Sequence, residues 1–134
     1  KFKMPGDECD LLAISDKKEL VCLEVKYGNN GSIEWSPYQA MAYRFAFANA
    51  AERISGDIKK MVRQKVALGL VSSSALDLLP DKAFTDIKAA VVIGRYEETK
   101  PSKRRNLQFT RRLADPDVQV LEYVSEDPHL RAII

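Results

Sequence analysis

The stretch CDLLAISDKKELVCLEVKYG, residues 9–28, decides the fold class because it reads as two apolar strands joined by a charged turn. The apolar runs within residues 8–15 and 19–27 predict two β-strands, and the DKK between them predicts the turn of an antiparallel hairpin. Each strand carries a carboxylate among apolar neighbours, Asp10 in the first and Glu24 in the second. Burying a charge is costly unless something pairs with it, so both positions need an explanation.

Length and composition indicate one globular domain over residues 1–134. The chain is 46% hydrophobic and 30% charged, which is ordinary for a soluble protein, and its net charge is only +2. Any surface that attracts nucleic acid must therefore be local, and no apolar run approaches the roughly 20 residues of a membrane span. Two cysteines are too few for a disulfide framework, so we expect free thiols, a cytoplasmic location and no membrane partner.

The two cysteines lie on the two strands of the predicted hairpin. Strand alternation places Cys22 on the same sheet face as Glu24, and on that of Asp10 if the two carboxylates share a face. The same alternation points Cys9 to the opposite face. We therefore expect no disulfide between them.

Helices follow the hairpin in the sequence. Ser36 followed by Pro37 predicts an N-cap with proline in the first turn, and residues 38–54 predict a helix. Residues 55–57, Ser-Gly-Asp, predict its end, and a second amphipathic helix is expected beyond them. The apolar face of the first helix is predicted to comprise Met41, Phe45, Phe47, Ala48 and Ala51, and that of the second Ile58, Met61, Val62, Val66 and Leu70.

The second half of the chain predicts two further strands. Residues 72–86 read as loop and short helix, and residues 89–95, AAVVIGR, suit a central strand covered on both faces. Residues 100–113 are basic and of helical type, and residues 118–124 predict the last strand. The order predicts an α/β fold with a mixed β-sheet, an N-terminal hairpin and flanking helices.

One acidic-x-Lys triplet stands apart from the others. The chain contains five, and only Glu24-Val25-Lys26 ends an apolar strand whose hairpin partner carries an aspartate. Magnesium binds one or two carboxylates together with water and phosphate oxygens, so Asp10, Glu24 and the Val25 carbonyl form a candidate metal site. Lys26 would then stabilise charge on a reacting phosphate or on a metal-bound water. The alternative is an ordinary ion pair on a solvated edge.

The order of these residues resembles the PD-(D/E)xK nuclease superfamily, in particular its RecB-like branch. That branch often carries Q-x-x-x-Y on the helix after the E-x-K strand, and Gln39 to Tyr43 match it here, thirteen residues after Lys26. The resemblance implies a restriction-endonuclease-like core and Mg²⁺-dependent hydrolysis of DNA phosphodiesters, with Mn²⁺ as a substitute. It assigns Asp10 and Glu24 as metal ligands, Lys26 as the catalytic lysine, Gln39 as support for the site, and Tyr43 as a DNA contact or a helix brace.

The resemblance is incomplete at the N-terminus. Only seven residues precede the first strand, so the acidic N-terminal helix of this fold is expected to come from the remainder of a longer chain or from a second subunit, as in a homodimer. A catalytically inactive nucleic-acid-binding module on the same fold is the main alternative. An α/β interaction domain with incidental charges is a third.

Positive charge and aromatic residues supply the candidate DNA contacts. The basic segment places six charges in thirteen residues: Lys100, Lys103, Arg104, Arg105, Arg111 and Arg112. It predicts either a phosphate-binding patch or a solvated helix face. Trp35 and Tyr38 near the helix start could stack on a base, although packing in the core is the preferred interpretation of Trp35.

Overall fold

The computed structural model describes residues 8–27, 33–94, 118–123 and 131–132. In these ranges the chain forms a five-stranded mixed sheet in which the strands lie side by side in sequence order. The strands are β1 Leu11–Ile14, β2 Leu20–Tyr27, β3 Ile87–Gly94, β4 Val118–Tyr123 and β5 Arg131–Ala132. The first and last pairs are antiparallel, whereas β2, β3 and β4 run parallel. The predicted mixed α/β architecture is confirmed.

The N-terminal hairpin forms with the predicted turn, and Leu11 lies opposite Leu23 and Ile14 opposite Leu20. The first strand is shorter than predicted, since β1 begins at Leu11 and Asp10 precedes it. Its loop is closed by backbone hydrogen bonds from Ser15 N to the Glu19 carbonyl at 2.9 Å and from Lys18 N to the Ser15 carbonyl at 3.0 Å. Lys18 adopts φ 63°, the left-handed conformation that a three-residue hairpin loop requires at its last position. The charged turn therefore fixes the register of the two strands.

A single helix, α1, runs from Ser36 to Ala67 without interruption. The predicted break at residues 55–57 is wrong because tertiary contacts outweigh the local signal. The Ser55 hydroxyl is buried, donates to the Ala51 carbonyl at 2.6 Å and accepts the backbone N–H of Phe84 at 2.9 Å. Ser55 thus ties the loop before β3 to the middle of the helix.

The start of α1 differs in detail from the prediction. Pro37 lies in the first turn as expected, but Trp35 holds the N-cap position and provides no side-chain cap. The Ser36 hydroxyl is buried and donates to the Ile33 carbonyl at 2.5 Å, so it fastens the preceding 3₁₀ turn, Ile33–Trp35, instead of capping the helix. The predicted Ser36 N-cap is therefore wrong.

α1 covers one face of the sheet. Near its N-terminus, Ala40 packs with Val91 and Ile93, towards the carboxyl end of β3. Further along, Ile58 packs with Leu20 and Ile87, at the beginning of β2 and β3. The helix therefore runs antiparallel to these two parallel strands, as a β-α-β crossover requires, and its first turns lie at the carboxyl end of the sheet. In the described residues no helix is long and apolar enough to cross a membrane.

The apolar face predicted for the first half of α1 is only partly correct. Ala51 is buried, and Met41 and Phe47 are half-buried against the core, as expected. Phe45 is instead 72% exposed, and Ala48 is exposed too. The sheet contacts only one side of the helix, so the remaining apolar residues face outward.

Candidate active site

Glu24 and Lys26 form a close ion pair near the carboxyl end of β2. The Lys26 ammonium lies 2.5 Å from Glu24 Oε1, and only 4% of the glutamate side chain and 13% of the lysine side chain are exposed. The second carboxylate oxygen of Glu24, Oε2, is buried and has no hydrogen-bond partner. An ionised oxygen without a partner is unfavourable in such an environment, so this atom could accept a cation or a proton donor.

The other acidic-x-Lys triplets provide an internal comparison. Asp86 and Lys88 also pair, but at 3.3 Å and with 55% and 38% of their side chains exposed. In the triplet Asp57-Ile58-Lys59, which lies in α1, the lysine donates instead to the carbonyls of Asp81 and Lys82. Among the four triplets that lie in the described residues, Glu24-Val25-Lys26 is therefore the buried one, as its place on an apolar strand predicts.

Asp10 lies next to this pair, across the hairpin. Leu11 and Leu23 are the last residues paired between β1 and β2 at this end of the hairpin. Asp10 and Glu24 lie one position further and opposite each other. Asp10 is exposed, and its Oδ2 accepts the backbone N–H of Val25 at 2.7 Å, which replaces a strand-to-strand hydrogen bond. Because the N–H and C=O of one strand residue point to the same side, the Val25 carbonyl also faces this edge of β2. Two carboxylates and a backbone carbonyl thus border one end of the hairpin.

The two α1 residues of the Q-x-x-x-Y pattern have different environments. Gln39 is half-buried in the first turns of α1, at the same end of the sheet as Glu24 and Lys26. Tyr43 is 9% exposed and belongs to the core cluster that contains Leu20 and Cys22. Its packing suits the helix-bracing role, and little of its ring is accessible for contact with DNA.

A carboxylate that the sequence analysis did not single out is Glu34, in the 3₁₀ turn before α1. Its Oε2 atom is buried and has no hydrogen-bond partner, as for Glu24. An acidic residue directly before the Trp-Ser-Pro helix start was the available sequence signal. Among the residues that the structure describes, however, no three His, Cys, Asp or Glu side chains gather as a cation site, so Glu34 is not a third member of the Asp10–Glu24 group.

The two cysteines are free thiols, as expected, but Cys9 does not point away from Cys22. Cys9 packs against the core cluster that contains Cys22, and its Sγ donates to the Leu11 carbonyl at 3.2 Å. The alternation argument fails because Cys9 precedes β1, which begins at Leu11. Burial raises the pKa of Cys9, and the negative charges of Asp10 and Glu24 raise it further.

The remaining predicted contacts divide into two groups. The basic segment with Lys103, Arg104, Arg105, Arg111 and Arg112, together with Lys100, lies outside the described residues. Trp35 is 61% exposed and Tyr38 45%, so the predicted packing of Trp35 in the core is wrong. Their ring centroids lie 5.9 Å apart at the start of α1.

Comparisons with protein-family models, curated proteins and solved structures give no match to this chain. The interpretation of the site therefore depends on its own geometry and on the resemblance of its motifs.

Proposed function

We propose that this domain is a metal-dependent nuclease that hydrolyses DNA phosphodiester bonds, with its active site at the carboxyl end of β2. The observation that carries the proposal is the state of Glu24. One of its carboxylate oxygens is paired with Lys26 at 2.5 Å, while the other is buried without a partner beside Asp10. A divalent cation would supply the missing partner and would offset repulsion between the two carboxylates.

Each side chain of the site has a distinct role in this proposal. Asp10 and Glu24 would hold Mg²⁺, with the Val25 carbonyl as a further oxygen ligand. The bound ion would lower the pKa of a water molecule and neutralise phosphate charge. Lys26, already positioned by Glu24, would place its ammonium next to the phosphate that reacts, and Gln39 would orient the water or the phosphate by hydrogen bonding.

A nucleic-acid-binding module without catalysis is the second candidate, and one observation favours it. Lys26 points at Glu24, so the site already contains a neutral pair in which the lysine stabilises its own neighbour. If that pair persists when DNA binds, the lysine is not available to a reacting phosphate. Cleavage and binding must therefore be measured separately.

The test is cleavage of end-labelled single-stranded and duplex DNA in Mg²⁺, Mn²⁺ or a chelator. The informative variant is Glu24→Gln with Lys26→Met, which removes both charges of the buried pair and so avoids leaving one charge buried alone. Its matched control is Asp86→Asn with Lys88→Met, which removes the exposed pair of the same spacing. We expect metal-dependent cleavage by the wild type and the control, and a loss of at least about 100-fold in the site variant.

Two results would contradict the nuclease proposal. Cleavage by the Glu24/Lys26 variant at the wild-type rate would remove these residues from the chemistry. DNA binding by the wild type without cleavage in either metal would favour the binding module instead.

A further inference from the structure

The outward face of α1 carries three exposed aromatic side chains. Trp35, Tyr38 and Phe45 are 61%, 45% and 72% exposed, and their spacing of three and seven residues places them along one side of the helix. We call these three residues the outer aromatic stripe. Large exposed aromatic groups in such a row are a feature of interaction surfaces rather than of ordinary solvated helix faces.

The charge around the stripe indicates what kind of partner it fits. Between residues 36 and 51 the only charged residue is Arg44, and its Nε donates to the Ile87 carbonyl at 2.9 Å, on the sheet side of α1. A surface that binds single-stranded nucleic acid combines aromatic rings with a cationic groove, which this part of the helix does not supply. A neutral aromatic face is better suited to another protein surface of the same kind.

Small residues on the same face complement the large aromatic ones. Ala46 and Asn49 are exposed, Ala42 is half-buried, and Gly56 is exposed with nothing within 4 Å of the position that a Cβ would occupy. With Trp35, Tyr38 and Phe45, and with Arg53 between Asn49 and Gly56, these residues follow one side of the helix at spacings of three or four from 35 to 56, as in a helix-packing seam.

We propose that a second copy of this chain docks on the outer aromatic stripe, with the two α1 helices antiparallel about a two-fold axis that passes between Phe45 and Ala46. This axis places each Phe45 opposite the alanine of the other copy. It also places Trp35 opposite Gly56, where the open space can receive the indole ring. Large side chains therefore meet small ones at the centre and at both ends of the seam, as a self-complementary interface requires.

The positions between the centre and the ends also match. The same axis brings Tyr38 opposite Arg53, an exposed residue, in a pairing that favours contact between the guanidinium and the ring. Ala42 falls opposite Asn49, which puts a polar residue with hydrogen-bonding capacity next to a small one. No like charges oppose each other between Trp35 and Gly56, but the same axis sets the acidic residues Glu34 and Asp57 opposite each other just beyond each end of the seam.

The size of the seam predicts a weak dimer. Twenty-one helical rises of about 1.5 Å give a length of roughly 32 Å from Trp35 to Gly56. A contact of this length and about one helix in width lies at the small end of specific interfaces. We therefore expect reversible association in the micromolar range.

The test is sedimentation equilibrium of the whole 134-residue chain over a range from low to several hundred micromolar. We expect the average mass to rise from 15.1 kDa towards twice that value. Phe45→Arg should weaken association at least about tenfold, whereas Leu68→Arg, at a position 73% exposed beyond the end of the seam, should not. Both sites are exposed, so both variants should fold, which their circular dichroism will verify.

Trp35 provides an independent readout because it is the only tryptophan of the chain. Its emission should shift to shorter wavelength as the wild type associates and should stay unshifted in Phe45→Arg. A mass of 15.1 kDa at every concentration, or equal association by wild type and Phe45→Arg, would overturn the proposal. Emission that responds to a single-stranded oligonucleotide in a protein that stays monomeric would also overturn it and assign the stripe to nucleic acid.

Discussion

In the proposed site, Glu24 would serve both the fold and a reaction. Its side chain is almost fully buried, and Lys26 compensates only one of its two oxygens. A fully apolar strand end would avoid this cost, since replacing buried ion pairs by apolar residues is often neutral or stabilising. The buried pair is therefore poorly explained by stability alone, and the proposed metal ligand would offset its cost.

At the same scale, Cys22 should be chemically inert at neutral pH. Burial, assisted by the neighbouring Cys9 thiol, raises the pKa of Cys22 from 9.0 to about 12. We expect native protein at pH 8 to leave Cys22 unmodified by iodoacetamide, whereas unfolding in denaturant should expose it to rapid alkylation. Mass spectrometry of the modified peptides measures this directly.

The same pKa predicts the sign of a pH effect on stability. Above pH 9 the unfolded chain loses the Cys22 proton while the folded chain retains it up to about pH 12. The free energy of unfolding should therefore be unaffected by this group below pH 9 and should fall above it, by at most about 1.4 kcal/mol per pH unit. Cys22→Ala should reduce the alkaline slope in urea titrations. An unchanged slope would show that the thiol ionises equally in both states.

At the level of elements, the accuracy of sequence interpretation depended on how local each signal is. The hairpin could be predicted because alternation and the DKK turn act within about twenty residues. The length of α1 could not, because its continuity past Ser55 depends on Phe84, 29 residues away. The exposure of Phe45 was equally inaccessible, since periodicity does not indicate which side of an apolar helix meets the sheet.

Two glycines of the α1 region should respond oppositely to alanine. Gly56 lies within the helix, is exposed and has open space around it, whereas Gly69 follows the helix with φ 69°. Gly69 N bonds to the Val66 carbonyl and Leu70 N to the Lys65 carbonyl, both at 2.9 Å, which is the Schellman pattern of a helix end. Gly56→Ala should stabilise the fold by about 0.5–1 kcal/mol, and Gly69→Ala should destabilise it by about 1 kcal/mol.

Urea unfolding at a low, monomeric concentration measures both glycine variants. The pair controls for the substitution itself, since each adds one methyl group. Destabilisation by Gly56→Ala would mean that the helix is broken near residue 56, as the Ser-Gly-Asp sequence alone predicts.

For the whole molecule, the β-α-β crossover brings distant parts of the sequence to one end of the sheet. β2 ends with Glu24 and Lys26 on the face that α1 covers, and α1 begins at that end with Gln39 in its first turns. The sequence suggested a role for Gln39 beside Glu24 and Lys26 only through the family resemblance, whereas its position at this end follows from the crossover, since a helix that joins two parallel strands begins at their carboxyl edge. The Glu24–Lys26 pair is buried, whereas the side chains of Asp86 and Lys88 are 55% and 38% exposed, and in the sequence only the apolar residues around Glu24 indicated this difference.

Neither the packing of Cys9 against the core nor the buried, unpartnered Oε2 atom of Glu34 could be predicted from sequence. Cys9 lies before β1 and outside any regular element, so strand periodicity does not determine the direction of its side chain. Glu34 lies in a short 3₁₀ turn, where the orientation of each side chain depends on the preceding loop. Sequence patterns constrain regular elements better than the residues that flank them.

The most direct test of the proposed site is calorimetric titration of Mg²⁺ or Mn²⁺ into three proteins. These are the wild type, the Glu24→Gln/Lys26→Met variant and the Asp86→Asn/Lys88→Met control. We predict metal binding by the wild type and the control and none by the Glu24/Lys26 variant, with all three folded by circular dichroism. Equal binding by all three, or no binding by the wild type even with a short DNA duplex added, would contradict a metal site at Glu24.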